Sequence, residues 1–144
     1  MAQLKLPRCF LDVLENKRWQ NGAFDQKIKS LLASLKLSQD LDIFYYDRIT
    51  IESESNSFHN IMNRNDEEEI TMFVGKYSKI SVEKTIAPEL TMLIADFGLG
   101  SDQPIALDYR NDLLRPEVWM LIWGEENYWT KVASTFENFI LGIR

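Results

Sequence analysis

Histidine, cysteine and clustered carboxylates are the side chains best suited to chemistry, and this chain of 144 residues holds one histidine, His59, and one cysteine, Cys9. Nucleophilic catalysis by a Ser–His or Cys–His pair needs a base held beside the nucleophile. His59 lies in the polar stretch Ser57-Phe58-His59-Asn60, which reads as a loop. Cys9 precedes Phe10 in an apolar stretch, the setting of a small buried hydrophobe rather than of an activated thiolate. A zinc site needs several Cys or His ligands, and one of each, fifty residues apart, excludes structural zinc. The run Asp66-Glu67-Glu68-Glu69 offers oxygen atoms to a hard cation, but it lacks the alternating acids, central glycine and distal glutamate of a calcium loop. It reads as a solvated acidic loop. No catalytic, cofactor-binding or metal-ligating residue is expected, and no enzyme.

Two glycine motifs invite other readings. Asp96-Phe97-Gly98 is the tripeptide that holds magnesium in protein kinases, yet no Gly-rich phosphate loop and no catalytic-loop His-Arg-Asp accompany it. Gly98-Leu99-Gly100 lacks the third glycine of a dinucleotide fingerprint. Two of the six glycines and one of the four prolines fall between Asp96 and Pro104. The segment therefore reads as a shaped turn that uses positive φ, with Asp96 and Asp102 capping its N–H groups.

Charge narrows the class of ligand. The chain carries sixteen Lys and Arg against twenty-two Asp and Glu, a formal −6, which works against binding to phosphate backbones. A direct nucleic-acid ligand is not expected. Residues 1–39 are net +4, residues 40–69 net −7 and residues 70–144 net −3. Such an acidic block either steers a charged partner or keeps a solvated loop soluble. If it meets a partner, the contact residues are Asp47, Glu52, Glu54, Asp66, Glu67, Glu68 and Glu69, joined by Asp102. The longest apolar run, Val118 to Trp123, is six residues against roughly 20 for a spanning helix. No membrane span is expected. Lys5 and Arg8 break the N-terminal apolar residues, unlike a secretory signal, so the expected compartment is the cytoplasm.

The elements that must position these groups follow from periodicity. Phe24, Ile28, Leu31, Leu32 and Leu35 recur at three and four, which predicts a helix from about Ala23 to Lys36. Phe10, Leu11, Val13 and Leu14 suggest a shorter helix before it. Short apolar or alternating runs then predict strands at Asp42–Tyr46, Ile70–Val74, Ile80–Glu83, Thr91–Ala95, Pro104–Tyr109 and Val118–Trp123. Short connections between the later runs require antiparallel pairing. Trp129, Val132, Ala133, Phe136, Phe139 and Ile140 fit one face of a closing helix. The expected fold is α+β: a largely antiparallel or mixed sheet of about six strands, with N-terminal helices and a C-terminal helix packed on one side of it. With no internal repeat and no linker, one domain is expected over residues 1–144.

A resemblance carries the reading further. The stretch from Ile94 to Arg110, then Pro116-Glu117-Val118, Trp123, Trp129 and Val132 to Phe139 with its Ser-x-Phe-Glu-x-Phe pattern, resembles the C-terminal half of the SUKH superfamily. That superfamily groups bacterial immunity proteins with a fungal regulator of cell-wall synthesis. The resemblance spans about fifty residues, Leu93 to Ile140, and weakens over the acidic block. It implies a domain that works by binding protein, as an antidote occupying a toxin domain; together with the acidic block, it suggests a basic, nucleic-acid-processing toxin. A regulatory or scaffolding module is the alternative. It further implies that Asp96, Gly98, Gly100, Ser101, Asp102 and Pro104 shape the turn and that Asp108, Tyr109 and Arg110 end a strand. Trp123, Trp129 and Phe136 would belong to the scaffold, since large aromatics dominate burial.

Overall fold

The computed structural model describes residues 4–37, 41–75, 84–98 and 102–144. The runs Thr91–Asp96 (β2), Pro104–Asp108 (β3) and Glu117–Ile122 (β4) form strands where their apolar residues predict them. Tyr128–Ala133 (β5) and the two-residue Phe44–Tyr45 (β1) complete one antiparallel sheet, ordered β1-β2-β3-β4-β5. Around it stand α1 (Arg8–Glu15), α2 (Asp25–Ser34), α3 (Arg48–His59), α4 (Glu67–Phe73) and α5 (Phe136–Leu141). The architecture is α+β as expected, with five strands among the described residues, close to the expected count of about six. The strand expected at 80–83 lies outside the described residues, as do Gly100 and Ser101. No described helix is long and apolar enough to cross a membrane.

Every residue of β2 and β3 is buried, so the sheet centre is covered on both faces and not on one as expected. Pairing register places Leu93, Ala106, Leu121 and Trp129 on one face, where Phe58 of α3 meets the Trp129 ring, centroids 6.2 Å apart. Helices α1 and α2 pack with α5 instead. At their junction Trp19 is ringed by Phe10, Phe24, Tyr45 and Phe136 at centroid distances of 4.6 to 6.0 Å. The Trp19 indole N–H donates to the Ile94 carbonyl at 3.0 Å, so this large side chain is buried without an orphaned donor. Tyr109 is buried too, and its hydroxyl donates to the Lys5 carbonyl at 2.8 Å, tying the N-terminal segment to the end of β3.

Three expectations are corrected. The acidic block is largely helical, and His59 closes α3 instead of lying in a loop. The α3 face that docks is Ile51, Ser55 and Phe58, spaced at four and three but polar at its centre. Residues 70–74, rich in branched side chains, continue a helix because Asp66 caps it, accepting from the Glu69 N–H at 3.1 Å. Glu67, Glu68 and Glu69 in its first turn favour the same helix. The expected closing helix divides into β5 and α5 at Ser134-Thr135. There the Thr135 hydroxyl caps α5 by accepting from the Asn138 N–H.

The polar centre of α3 has a structural cause. Strand β1 pairs with β2 only opposite Ala95 and Asp96; the Trp19 indole and the Tyr46 N–H take the Ile94 carbonyl, and α3 supplies partners at Leu93 and Thr91. Ser55 Oγ accepts from the Leu93 N–H at 2.9 Å, and the His59 Nε2–H donates to the Thr91 carbonyl at 2.7 Å. Replacing Ser55 with Ala should lower the unfolding free energy by about 1–3 kcal/mol, because a buried donor on β2 loses its partner. Denaturant titration measures it, and an unchanged midpoint would show that α3 is not needed to close that edge.

Candidate functional site: an acidic groove beside Trp123

A cavity of about 550 Å³ forms an open groove between α4 and the turn joining β4 to β5. Glu67, Glu68, Thr71 and Met72 form one wall, and Trp123, Gly124, Glu125, Glu126 and Asn127 form the other. Of the nine described lining residues four are acidic and none is basic, so these residues give the groove a negative lining.

Helix α4 contributes no fully buried side chain, and directed hydrogen bonds hold it in place. Asn127 Nδ2 donates to the Met72 carbonyl at 3.0 Å, and the Trp129 indole N–H donates to the Phe73 carbonyl at 2.8 Å. These are two of the carbonyls that the end of a helix leaves without intrahelical partners. At the other end Arg64 bridges to Glu69 and donates to the Ser57 carbonyl at 3.0 Å. Helix α4 thereby divides the outer groove from an inner cavity of about 250 Å³, lined by Phe58, Ile61, Phe73, Leu93 and Pro104 with Glu54, Arg64 and Glu69 among its polar residues.

Trp123 departs from its expected place in the scaffold. It is 49% exposed, whereas Trp129 is fully buried. The pairing of Ile122 with Tyr128 ends the ladder and leaves Trp123 in the turn. Its indole N–H donates to the Asp102 carbonyl, so the ring is pinned at the groove's edge.

The residues expected at a partner surface separate into groups. Glu67 and Glu68 face the groove. Asp47 caps α3, accepting from the Thr50 N–H at 2.7 Å, a bond that lowers its carboxyl below the usual range. It lies beside Lys17, Trp19 and Arg48 in a different cleft. Glu52 forms an exposed helix pair with Arg48, of a kind worth little. Glu54 and Glu69 line the inner cavity, and Asp66 caps α4. Asp102 is exposed beside the turn. Glu125 and Glu126 complete the groove unanticipated; the signal was the Gly124-Glu125-Glu126-Asn127 turn, hidden once Trp129 was assigned to a helix.

The motif acids do structural work. Fully buried Asp96 accepts from the Asp102 and Gln103 N–H groups at 3.1 and 2.9 Å and from the Tyr46 hydroxyl at 3.3 Å. Gly98 does not take the positive φ expected of it; among the described residues the glycines that do are Gly22, Gly75 and Gly142. A Cβ on Gly98 would instead approach Asp102 Cβ at 3.3 Å. Pro104 opens β3, while Trp129 and Phe136 are buried. Asp108, 1% exposed, holds Arg110 through Nε at 3.0 Å and Nη2 at 3.0 Å. The Arg110 guanidinium lies over the Trp119 ring, 4.8 Å from its centroid. Glu117 accepts from the Trp119 indole at 3.1 Å and pairs with Lys131 at 2.9 Å. Partial burial works to raise its carboxyl, but the bonds from Lys131 and Trp119 and the Lys131 charge prevail and lower it. Cys9 is partly buried, and burial followed by the Glu137 charge pushes its thiol up, away from a reactive thiolate. His59 is committed to a backbone carbonyl.

The class these features define is an α+β domain with an open, acidic, aromatic-edged groove. More particularly, the chain belongs to the SMI1/KNR4 family (SUKH-1), whose model matches residues 2–142. No curated protein and no solved structure matches it.

Two measurements follow. Asn127→Ala should speed amide exchange in α4 by about tenfold, the equivalent of roughly 1 kcal/mol of local stability, while β3 amides keep their protection. Uniform acceleration across the sheet would show that Asn127 supports the whole fold. Because the carboxyl of Glu117 is lowered on folding, its stabilisation is present above the unfolded pKa and lost as pH falls through the folded one. Glu117→Gln should therefore melt below the parent chain at pH 7, with the gap closing as pH drops from about 5 to 3. A gap independent of pH would assign the loss to packing.

Proposed function

We propose that the protein is an immunity-type binding protein that neutralises a cognate toxin domain by direct contact in the cytoplasm, acting through occupancy and not catalysis. Membership of the SMI1/KNR4 family supports a protein partner of this kind. The observation that carries the reading on this chain is the groove, where Glu67, Glu68, Glu125 and Glu126 surround an exposed tryptophan. Complementary charge of this kind steers encounter with a basic surface and speeds association. The partner fitted best is therefore basic, as domains that process nucleic acid are.

The test is co-expression with the C-terminal domain of a large secreted protein encoded beside this chain. Growth should be protected and a complex recovered, with an association rate that falls as salt rises above roughly 0.1 M, where the screening length is about 10 Å. Changing Glu67 and Glu68 together to Lys should slow association while costing only about 1 kcal/mol of stability, since two cations replace two carboxylates in the first turn of α4. Glu69 is left unchanged because it pairs with Arg64. Absence of both a toxin neighbour and protection would favour the regulatory module instead; an association rate indifferent to salt and to the double reversal would move the interface elsewhere.

A further inference from the structure

We propose that the groove captures an arginine side chain of the partner, its guanidinium stacked on the Trp123 ring and held by the carboxylates of Glu67, Glu68 and Glu125. This rests on the reading that the groove is where the partner docks, and it names the chemistry of the occupant. Three observations support it.

The first is the tryptophan itself. Trp19, Trp119 and Trp129 are 6, 7 and 0% exposed, against 49% for Trp123. Leaving an indole in water forgoes the favourable burial of a large apolar surface. The hydrogen bond to the Asp102 carbonyl keeps the ring in one orientation at the groove's edge, so a stacking surface is already formed before any ligand arrives. The second is charge: Glu67, Glu68 and Glu125 line the groove with the ring, and no lysine or arginine stands among the described lining residues. A cation seated there would be attracted by both the ring face and the acids.

The third observation comes from elsewhere in the same molecule. Two residues past β3, the Arg110 guanidinium lies 4.8 Å from the centroid of Trp119 on β4 while Asp108 accepts from it. The fold thus already contains the trio of arginine, tryptophan and carboxylate as an internal contact. The groove presents the tryptophan and carboxylates of that trio to the outside. A planar guanidinium can stack and bind carboxylate in two-pronged fashion, which an ammonium cannot, so arginine fits better than lysine.

The experiment titrates the full chain with tetra-arginine peptide in low salt, following calorimetry and tryptophan emission, which reports mainly on the one solvent-accessible indole. Tetra-lysine and tetra-glutamate serve as comparisons. Tetra-arginine should bind and shift the emission, tetra-lysine should bind several-fold more weakly, and tetra-glutamate should not bind. Trp123→Leu and Glu125→Gln should each weaken tetra-arginine about fivefold to tenfold. Glu52→Gln, on the exposed face of α3 away from the groove, should leave it unchanged. Equal weakening by Glu52→Gln, or undiminished binding by both groove variants, would reduce the attraction to diffuse charge and overturn the proposal. No binding of tetra-arginine would overturn it as well. Growth protection by co-expression is scored separately: protection without arginine binding leaves the toxin reading standing and removes this one, and arginine binding without protection does the reverse.

Discussion

The edge of β2 sets the constraint on which the rest of the structure depends. A sheet edge exposes backbone donors and acceptors that must be paired, covered or wetted, and β1 reaches only the end of β2 near Asp96. The Ile94 carbonyl goes to the Trp19 indole and the Tyr46 N–H, and helix α3 covers Leu93 and Thr91 through Ser55 and His59, one turn apart on the same face. With α3 fixed there, Phe58 lies against Trp129. The short helical turn Ile61–Arg64 then delivers the chain to α4. The groove is the last consequence of that sequence of placements, since its one wall is α4 and its other is the turn that follows β4.

Different kinds of interaction hold the two walls. The β4–β5 turn grows out of a sheet whose β4 interior is buried, so close packing determines its position. Helix α4 has no fully buried residue and is seven residues long, too short to persist alone. It is stationed by side-chain donors meeting helix-end carbonyls, a directional arrangement that fixes orientation at modest net energy. One turn of the chain serves both ends: Asn127 ties down α4 while Trp123, four residues earlier, faces the space left between them.

What the sequence revealed follows the same division. Strands β2, β3 and β4 were legible because their apolar residues are contiguous, and α1 and α2 because their apolar stripes recur at three and four. Helix α3 was hidden because Ser55 stands at the centre of its docking face and Ile49, 78% exposed, lies off it. A helix docked by hydrogen bonds to a sheet edge carries no hydrophobic period there. Helix α4 was misread because Ile70, Thr71 and Val74 favour strands, and β5 because its apolar positions continue into α5 at helical spacing. Of the groove, the charge of Glu67 and Glu68 was visible. Trp123 and the acids that follow it were not, since tryptophan is more often buried and only tertiary pairing shows where β4 stops.

Net charge therefore overstated the acidic block and understated the turn. Asp47 and Asp66 cap helices, and Glu69 holds Arg64; removing these would alter the fold along with any surface. Glu67 and Glu68 sit in the first turn of α4, where a carboxylate eases the helix dipole by only a few tenths of a kcal/mol at exposed sites, and Glu125 lies in a connecting turn. None of the groove's acids belongs to the core. The scaffold is held by buried aromatics, by Asp96 and Asp108 and by the sealed edge of β2, and so the groove can change its charge and shape for a new partner without reopening the problem of how the chain folds.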